Sequence, residues 1–343
     1  MISTEEAESI TTLIQYQHGF VISKVMFTAC ELGVFDLLLE SGEPLSSTTI
    51  AECLGTSPHG MELLLGACVA LKLLRTERKD EQVLYGNTDL SSLCLGKSSP
   101  KSQYHHMMWF SESTYLNLHY LADAVREGKN LNEKSLNSKN FYEGIYRSEE
   151  QMQRFMSYMN GTWSLGGRDV IAAFDLSQFP QICDLGGSSG ALAKECIYLY
   201  PYCTVTILDL PEVVRTAKKH FISEEEQRIH FIEGDFFEDL IPEADLYILA
   251  RICHNWTDEK CAQLLTKVYK ACKPRGGVLI IEMVLNEDRK GPLLAHLQSI
   301  LMLVRTEGKE RTPLEYSTLL SAAGFKEAER KKTRLYDAIL ARK

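Results

Sequence analysis

The stretch ICDLGGSSG, residues 182–190, decides how the rest of the chain is interpreted. An apolar run ends at Asp184, a segment of glycine and serine follows, and the helix-forming stretch ALAKECIYL begins at residue 191. This pattern predicts a strand, a tight turn and the start of a helix, an arrangement that brings backbone N–H groups against a ligand. We therefore expect a binding site at this turn.

The residues of the turn exclude two common phosphate-binding motifs. A P-loop requires Gly-Lys-Ser/Thr at its end, but Ala191 follows Gly190. A dinucleotide-binding turn requires a second glycine at the place where Ser188 stands. What remains is a strand-end acid, Asp184, followed by Gly186, and this combination suits a positively charged ligand that has no pyrophosphate.

Strands and helices alternate over the second half of the chain. Strand-like runs occur at 181–186, 204–210, 229–237, 244–252, 276–285 and 336–343. Helical patterns follow most of these runs, and the last of them precedes the final strand. Such alternation predicts an α/β fold, with a parallel sheet covered by helices on both faces and ligands bound beyond the carboxyl ends of the strands.

Acids recur at three of these strand ends. Asp184, Asp209 and Asp235 each close a strand-like run, and the aromatic residue Phe236 follows the third acid. One such acid alone is typical of a turn or a cap, but three at equivalent positions indicate a shared site. A carboxylate beyond the second strand accepts ribose hydroxyls in folds of this type. The set fits an adenosine linked to a cationic sulfonium, which is S-adenosylmethionine.

The segment ARICHNWTDEK, residues 250–260, follows the fourth strand and contains His254. A lone histidine is most often a core or capping residue, but this one is placed at the same edge of the sheet as the acids. A histidine there can deprotonate a phenol, whose pKa is about 10, during methyl transfer. Glu282 and Glu310 are candidates to orient the ring. Their alternative roles are an exposed strand-end acid and one half of a surface ion pair.

The first part of the chain has a different pattern. Helical periodicity runs from residue 10 to about 75, with a turn at 55–58, and LLRTERKDEQVLYGNT then predicts a hairpin. Ser46 or Ser47 and Ser57 are predicted helix caps, with Pro58 at the first helical position. This is a winged-helix outline, but the exposed start of its second helix, SPHGMEL, lacks the Lys and Arg that read DNA. We expect a dimerisation domain over residues 1–105 and a second domain over 106–343.

Composition sets further bounds. The 343 residues carry a formal net charge of −9, which disfavours a nucleic-acid partner. No stretch predicts a secretory signal or a membrane span, and ten scattered cysteines form no C-x-x-C pair. We expect a cytoplasmic protein with reduced thiols, no metal and no membrane partner.

Together these motifs resemble a known family. The residues that carry the resemblance are DLGGSSGALAKE (184–195), EGDFF (233–237), PEADLYILARICHNW (242–256), KPRGGVLIIE (273–282) and TEGKERTPLEY (306–316). They resemble the S-adenosylmethionine-dependent O-methyltransferases, the class that includes plant caffeate and flavonoid enzymes, and the match covers nearly the whole chain. Within that class, KVMFTACELGVFDLLL (24–39), LADAVREG (121–128), IYRSEE (145–150), AAFDLSQFP (172–180) and YDAILARK (336–343) resemble the vertebrate acetylserotonin O-methyltransferases.

The resemblance implies a Rossmann-like methyltransferase domain, an N-terminal, mostly α-helical winged-helix-like dimerisation domain and a homodimer whose subunits complete each other's sites. The implied reaction moves a methyl group from S-adenosylmethionine to N-acetylserotonin and gives melatonin. His254 is then the general base, flanked by Glu282 and Glu310. The expected donor-binding residues are Tyr146, Trp163, Asp184, Gly186, Gly190, Asp209, Gly234, Asp235, Phe236 and Arg251. The expected acceptor-binding residues are Met107, Met108, Phe155, Met159, Leu301, Met302 and Arg305.

Four positions depart from the family pattern. Ser188 replaces a glycine, which donor binding tolerates unless the position requires a positive φ. Asn255 replaces the aspartate that follows the histidine. Leu301 and Arg305 stand where the vertebrate enzymes show an asparagine and a glutamine that hold an acetamide; leucine forms no hydrogen bond and arginine only donates. Three alternatives stay open: another small phenol or hydroxyindole as acceptor, a paralogue that binds the donor without turnover, and a winged-helix DNA-binding protein.

Overall fold

Residues 3–343 are described by a computed structural model, in which packing divides the chain between Glu112 and Ser113. The sequence suggested a division at 105/106, inside the same run of helices. None of the helices in the described residues is long and apolar enough to cross a membrane.

The N-terminal unit combines helices with one small sheet. Its helices are α1 (Thr4–Leu32), α2 (Val34–Ser41), α3 (Ser47–Cys53), α4 (Pro58–Ala70), α5 (Asp89–Cys94) and α6 (Tyr104–Trp109). Its strands are β1 (Leu45–Ser46), β2 (Leu74–Lys79) and β3 (Gln82–Asn87), in the order β1–β3–β2. The predicted caps are confirmed: the hydroxyls of Ser46 and Ser57 accept from the third helical N–H of α3 and α4, and Pro58 begins α4. Helix, turn, helix and hairpin therefore form the predicted winged-helix outline.

Helix α1 is long and only partly buried. A capping box joins Ser3 and Glu6 at its start, and Gly33 ends it with a left-handed φ of 81°. Large apolar side chains stay exposed along its first five turns, at Ile10, Leu13, Ile14, Tyr16 and Phe20. An exposed apolar stripe of this kind marks an interaction surface.

The second unit places helices around a larger sheet. Its helices are α7 (Tyr115–Asn117), α8 (Leu121–Glu127), α9 (Asn132–Ser135), α10 (Phe141–Ile145), α11 (Glu149–Ile171), α12 (Ala191–Leu199), α13 (Pro211–His220), α14 (Asp258–Ala271), α15 (Leu293–Arg305) and α16 (Pro313–Ala323). Short 3₁₀ turns cover Leu118–Tyr120 and Cys253–Asn255, and a π-helical turn covers Phe110–Thr114. Between residues 128 and 140 the chain forms only the four-residue helix α9.

Seven strands form the sheet of this unit. They are β4 (Gln181–Leu185), β5 (Thr204–Asp209), β6 (Ile229–Glu233), β7 (Ala244–Ala250), β8 (Cys272–Glu282), β9 (Lys326–Lys332) and β10 (Asp337–Arg342). Their order is β6–β5–β4–β7–β8–β10–β9, and the first five run parallel. The order reverses at β4, which lies between β5 and β7. Ligands bind at such a reversal, beyond the carboxyl ends of the strands.

The predicted parallel sheet continues at one edge into two antiparallel strands. Strand β10 pairs antiparallel with β8, and β9, which the sequence pattern did not indicate, pairs antiparallel with β10. The segment KEAERKK of β9 carries charges at six of seven positions, because an edge strand buries little and its charges discourage further pairing. A hydrophobic pattern cannot reveal such a strand.

Alternate residues of the central strands bury on opposite faces of the sheet. Leu246 and Ile248 of β7 belong to one apolar cluster, whereas Tyr247 and Leu249 belong to the other. Helices cover both faces, so these strands show a continuous apolar run instead of an alternating one. Each fully buried leucine or isoleucine contributes about 1.5–3 kcal/mol relative to exposure. Burial on both faces of the sheet holds the strands in place, and with them the strand ends at which the candidate site lies.

Candidate active site

The glycine turn after β4 requires glycine at two positions. Gly186 has a φ of 70°, and a Cβ there would lie 2.7 Å from Cδ1 of Ile252. Gly190 has a φ of 76° and begins α12, and a Cβ there would lie 2.9 Å from Cδ1 of Ile222. The turn is therefore both left-handed and closely packed, as the sequence predicted.

Ser188 also adopts a left-handed conformation, with a φ of 51°. The backbone at this position therefore requires the positive φ that favours glycine, and serine adopts this φ at a cost of about 1 kcal/mol. Its N–H donates to Oδ2 of Asp209 over 2.9 Å. That hydrogen bond ties the turn to the end of β5.

The three predicted acids do not have equivalent positions. Asp209 and Asp235 line a cavity beyond the strand ends, whereas Asp184 is 1% exposed and lies under the turn, where its Oδ2 has no hydrogen-bond partner. Burial, and then the charge of Asp209, raise the pKa of Asp184 to about 7. Burial raises the pKa of Asp209 to about 6, although the N–H groups of Ser188 and Leu210 oppose the shift. Two acids therefore face the site and one supports it from below.

The cavity has a volume of about 820 Å³. Of the expected donor-binding residues, its wall contains Tyr146, Gly186, Asp209, Gly234, Asp235, Phe236 and Arg251. Of the expected acceptor-binding residues, it contains Phe155, Met159, Met302 and Arg305. The wall also contains His254, so one space joins the two predicted sites.

Some predicted site residues lie elsewhere. Trp163 packs in the apolar core of the second unit, 5.2 Å from the ring of Tyr336, and Gly190 begins α12. Leu301 is 9% exposed on α15 and, among the described residues, is not part of the cavity wall. Met107 and Met108 pack against the core of the N-terminal unit.

His254 is held by two carboxyl groups. Its Nδ1 lies 2.7 Å from Oε1 of Glu310 and 3.3 Å from Oε2 of Glu282, and its backbone N–H donates to Oε1 of Glu282 over 3.2 Å. All three side chains are at most 4% exposed. Because Nδ1 is occupied, Nε2 is the ring nitrogen that is left for a ligand in the cavity.

Burial determines the charge state of this cluster. Burial lowers the pKa of His254 to about 4. The negative charge of Glu282 raises this pKa, whereas the positive charges of three arginines lower it further. Burial raises the pKa of Glu282 to about 7 and that of Glu310 to about 8. At neutral pH the imidazole is therefore neutral. Its Nδ1 faces the carboxyl pair, and Nε2 is the nitrogen available as a base.

Two residues that the sequence analysis missed support the histidine turn. Arg311 is fully buried and donates to the carbonyls of Cys253 over 2.8 Å and Trp256 over 2.7 Å, and it pairs with Asp258. Gly308 passes so close to this turn that a Cβ would lie 2.7 Å from the carbonyl carbon of Asn255. An arginine and a glycine in TEGKERT are typical of a surface loop, so composition gave no signal for these contacts.

Asn255 uses its amide in a way that an aspartate cannot. Its Nδ2 donates to the carbonyl of Arg251 over 2.9 Å and to that of Ile252 over 3.3 Å. These bonds stabilise the turn between β7 and the histidine, where Arg251 has a left-handed φ of 56°. The departure from the family pattern at 255 therefore has a structural role.

Aromatic rings form much of the remaining wall, and the sequence analysis did not single out three of them, Tyr142, Tyr158 and Trp256. Tyr142 stacks on Trp256 with ring centres 6.4 Å apart, and Phe155 packs between Tyr146 and Tyr158. Trp256 also meets Phe237 edge to face at 5.0 Å. Flat rings are the surfaces against which a flat aromatic ligand packs.

Comparison with known proteins is consistent with this geometry. Residues 118–326 match the family model described as an O-methyltransferase domain, and residues 14–97 match that of an O-methyltransferase dimerisation domain. The chain is 59% identical to acetylserotonin O-methyltransferase of Gallus gallus and 52% identical to that of Homo sapiens, each over 100% of both chains. Its fold is similar to the crystal structure of human N-acetylserotonin methyltransferase in complex with S-adenosylmethionine, with a TM-score of 0.95, 51% identity and coverage of 100% of this chain and 99% of that one.

Proposed function

This chain belongs to the O-methyltransferase family and, within it, to the acetylserotonin O-methyltransferases, and we propose that it methylates the hydroxyl group of N-acetylserotonin to give melatonin. The methyl donor is S-adenosylmethionine, which leaves as S-adenosylhomocysteine. One observation carries the proposal: a neutral histidine, held at Nδ1 by two buried carboxyl groups, offers Nε2 to a cavity that also contains the donor-type turn.

The residues at the strand ends fit this donor. A Cβ on Gly187 would lie 2.5 Å from Oδ2 of Asp184, and one on Gly186 would lie 2.7 Å from Cδ1 of Ile252, so packing within the protein requires glycine at both positions of this turn. Asp209, Asp235 and Phe236 line the cavity, and in this proposal Asp209 accepts the ribose hydroxyls while Asp235 and Phe236 bind the adenine. When bound, the donor supplies a methyl group on a positively charged sulfur.

The chain itself contributes proton removal and orientation. Nε2 of His254 accepts the proton of the acceptor hydroxyl as its oxygen bonds to the methyl carbon and the carbon–sulfur bond breaks. The resulting imidazolium is stabilised by the carboxyl groups of Glu282 and Glu310 beside Nδ1. After product release, Nε2 gives its proton to solvent, and the neutral base is restored. In-line displacement depends on positioning, and the aromatic wall provides it.

No metal ion is part of this mechanism. The ligand-type atoms of His254, Glu282 and Glu310 lie within 4.8 Å of one another, but they are used in hydrogen bonds that fix the imidazole ring. We expect that incubation with EDTA leaves turnover unchanged. Loss of activity that added Mg²⁺ or Zn²⁺ restores would contradict this part of the proposal.

The acceptor is tested by product analysis. Purified full-length chain is incubated with N-acetylserotonin and methyl-labelled donor, and the labelled product is identified by mass spectrometry. We expect melatonin. Methylation of another hydroxyindole or catechol with N-acetylserotonin inert would reject this acceptor, and donor binding by calorimetry with no product from any phenol would reject the transferase function.

We also propose that the chain forms a homodimer in the cytoplasm. The match to a dimerisation domain and the exposed apolar side chains along α1 support the dimer. All ten cysteines are free thiols, which is typical of a reducing compartment. Light scattering should give twice the chain mass of 38.8 kDa, and a monomer at micromolar concentration would contradict the dimer.

A further inference from the structure

Two buried guanidinium groups line the cavity without a counter-ion. Arg251 is 7% exposed and Arg305 is 3% exposed, and both belong to the cavity wall. Across residues 3–343, every ion pair within 4.0 Å involves other side chains than these two. A buried charge without a partner is destabilising, so such a group is retained where a ligand compensates it.

Arg305 contacts two hydroxyl groups and one aromatic ring. One terminal nitrogen donates to the hydroxyl of Thr114, the guanidinium also bonds the hydroxyl of Tyr158, and it lies 5.6 Å from the ring centre of Phe141. Its Nε has no hydrogen-bond partner at all. The group is therefore fixed in place, desolvated and still able to donate.

The position of Arg305 is on the acceptor side of the cavity. It ends α15, next to Met302 on the preceding turn, whereas the expected donor-binding residues follow the strands and include the other arginine, Arg251. Its charge also acts on His254 and helps to lower the pKa of that base. Arg305 therefore provides a buried positive charge with which a negative group on a bound acceptor can pair.

We propose that Arg305 makes this pocket selective for aromatic acceptors that carry a carboxylate, such as a hydroxyindole with a short carboxylic acid side chain. The proposal deepens the O-methyltransferase function and rests on it. A charge-assisted hydrogen bond from a guanidinium to a carboxylate is about twice as strong as one between neutral groups. A neutral amide carbonyl also accepts from Arg305, so N-acetylserotonin remains an acceptor, but a carboxylate of matching length binds more tightly.

The test compares two probes that differ in one group. The full-length chain is saturated with S-adenosylhomocysteine, and calorimetry measures its affinity for 5-hydroxyindole-3-acetate and for the corresponding primary amide at pH 7, where the acid is ionised. We expect the acid to bind about tenfold more tightly than the amide. Equal affinities, or tighter binding of the amide, would overturn the proposal without any variant being needed.

Variants then assign the preference to one residue. In Arg305→Gln we expect the acid-to-amide ratio to fall to about one, whereas Arg305→Lys should keep part of it because the charge remains. Arg215→Gln, an exposed arginine on α13, is the matched control and should keep the full ratio. An unchanged ratio in Arg305→Gln, or an equal loss of affinity for S-adenosylmethionine, would show that Arg305 does not read the acceptor.

This binding measurement separates the proposal from the catalytic one. If no hydroxyindole is methylated but the acid still binds selectively through Arg305, the transferase function fails and the specificity proposal survives. If both probes are methylated with equal kcat/KM and bind equally, the function survives and the specificity proposal fails.

Discussion

Nδ1 of His254 lies 2.7 Å from Oε1 of Glu310, although the two residues are 56 positions apart in the chain. The histidine belongs to the turn after β7, and the glutamate belongs to the segment between α15 and α16. Because this hydrogen bond fixes the tautomer of the ring, the elements that hold either residue also control the base.

The stability of the ligand-free protein should fall as the pH rises from about 6.5 to 8. Burial raises the pKa of Glu282 to about 7 and that of Glu310 to about 8, from a usual 4.5, so the folded state binds more protons than the unfolded state across this window. Their contribution to stability is complete at low pH and is lost as the pH passes these values. Burial lowers the pKa of His254 from 6.5 to about 4, so this residue makes stability rise with pH, but only below pH 6.5.

Scanning calorimetry at several pH values measures this slope. In Glu310→Gln the fall in melting temperature between pH 6.5 and 8 should be smaller, because one titrating group is gone. Glu224→Gln, at an exposed position, should retain the slope of the unaltered chain. A melting temperature that rises over this window, or an identical slope in Glu310→Gln, would contradict the assignment.

Arg311→Met should weaken the turn that carries His254. The substitution removes the guanidinium hydrogen bonds to the carbonyls of Cys253 and Trp256 and the ion pair with Asp258. We expect a loss of about 3 kcal/mol in the free energy of unfolding and a lower kcat, with donor affinity nearly unchanged. Urea denaturation and steady-state kinetics measure the two effects.

The matched control is Arg289→Met, which removes an exposed arginine from its pair with Glu315. Exposed pairs contribute about 0–1 kcal/mol, so this variant should behave almost like the unaltered chain. Equal effects of the two substitutions would mean that Arg311 has no special role.

Gly308→Ala should destabilise the protein by about 1–3 kcal/mol. A Cβ there would lie 2.5 Å from the backbone N of Trp256, and backbone atoms cannot move aside as a flexible side chain can. Gly66→Ala on α4, where no atom lies within 4 Å, should instead stabilise by up to about 1 kcal/mol. Thermal unfolding measures the melting temperature of both variants. A melting temperature for Gly308→Ala as high as that of Gly66→Ala would contradict the prediction.

Ser188→Gly should raise the stability of the chain by about 0.5–1 kcal/mol. Ser188 has a φ of 51°, and glycine removes the steric penalty, although it also gives the unfolded chain more freedom. Ser188→Ala keeps the Cβ and should bring no gain. The idea of strain at this turn would be rejected if the melting temperatures of the two variants rose equally.

The parts of the fold that sequence reasoning predicted are those with a local physical signal. The strand, glycine turn and helix start around Gly186 could be predicted because φ and close packing require glycine there. The caps at Ser46 and Ser57 could be predicted because the hydroxyl bonds its own helix. Strand β9 was missed because its charged, exposed sequence has no hydrophobic pattern.

The site divides in the same way. His254 and Asp209 were recognised because each follows a strand whose end defines the crevice. Arg311 and Tyr158 were missed because their roles depend on segments that meet only in three dimensions. Asp184 was expected in the binding site but lies under the turn, since a strand-end position does not tell which way a side chain is buried.

The most direct measurement of the central claim is turnover by His254→Gln, with donor affinity measured on the same preparation. Methyl-labelled donor and N-acetylserotonin give the rate, and calorimetry gives the dissociation constant for S-adenosylmethionine. Glutamine preserves much of the shape but accepts no proton, so the account predicts an affinity within about twofold and a kcat at least about 100-fold lower. An unchanged kcat would contradict the account, because the proton of the acceptor would then have to go to a group other than Nε2 of His254.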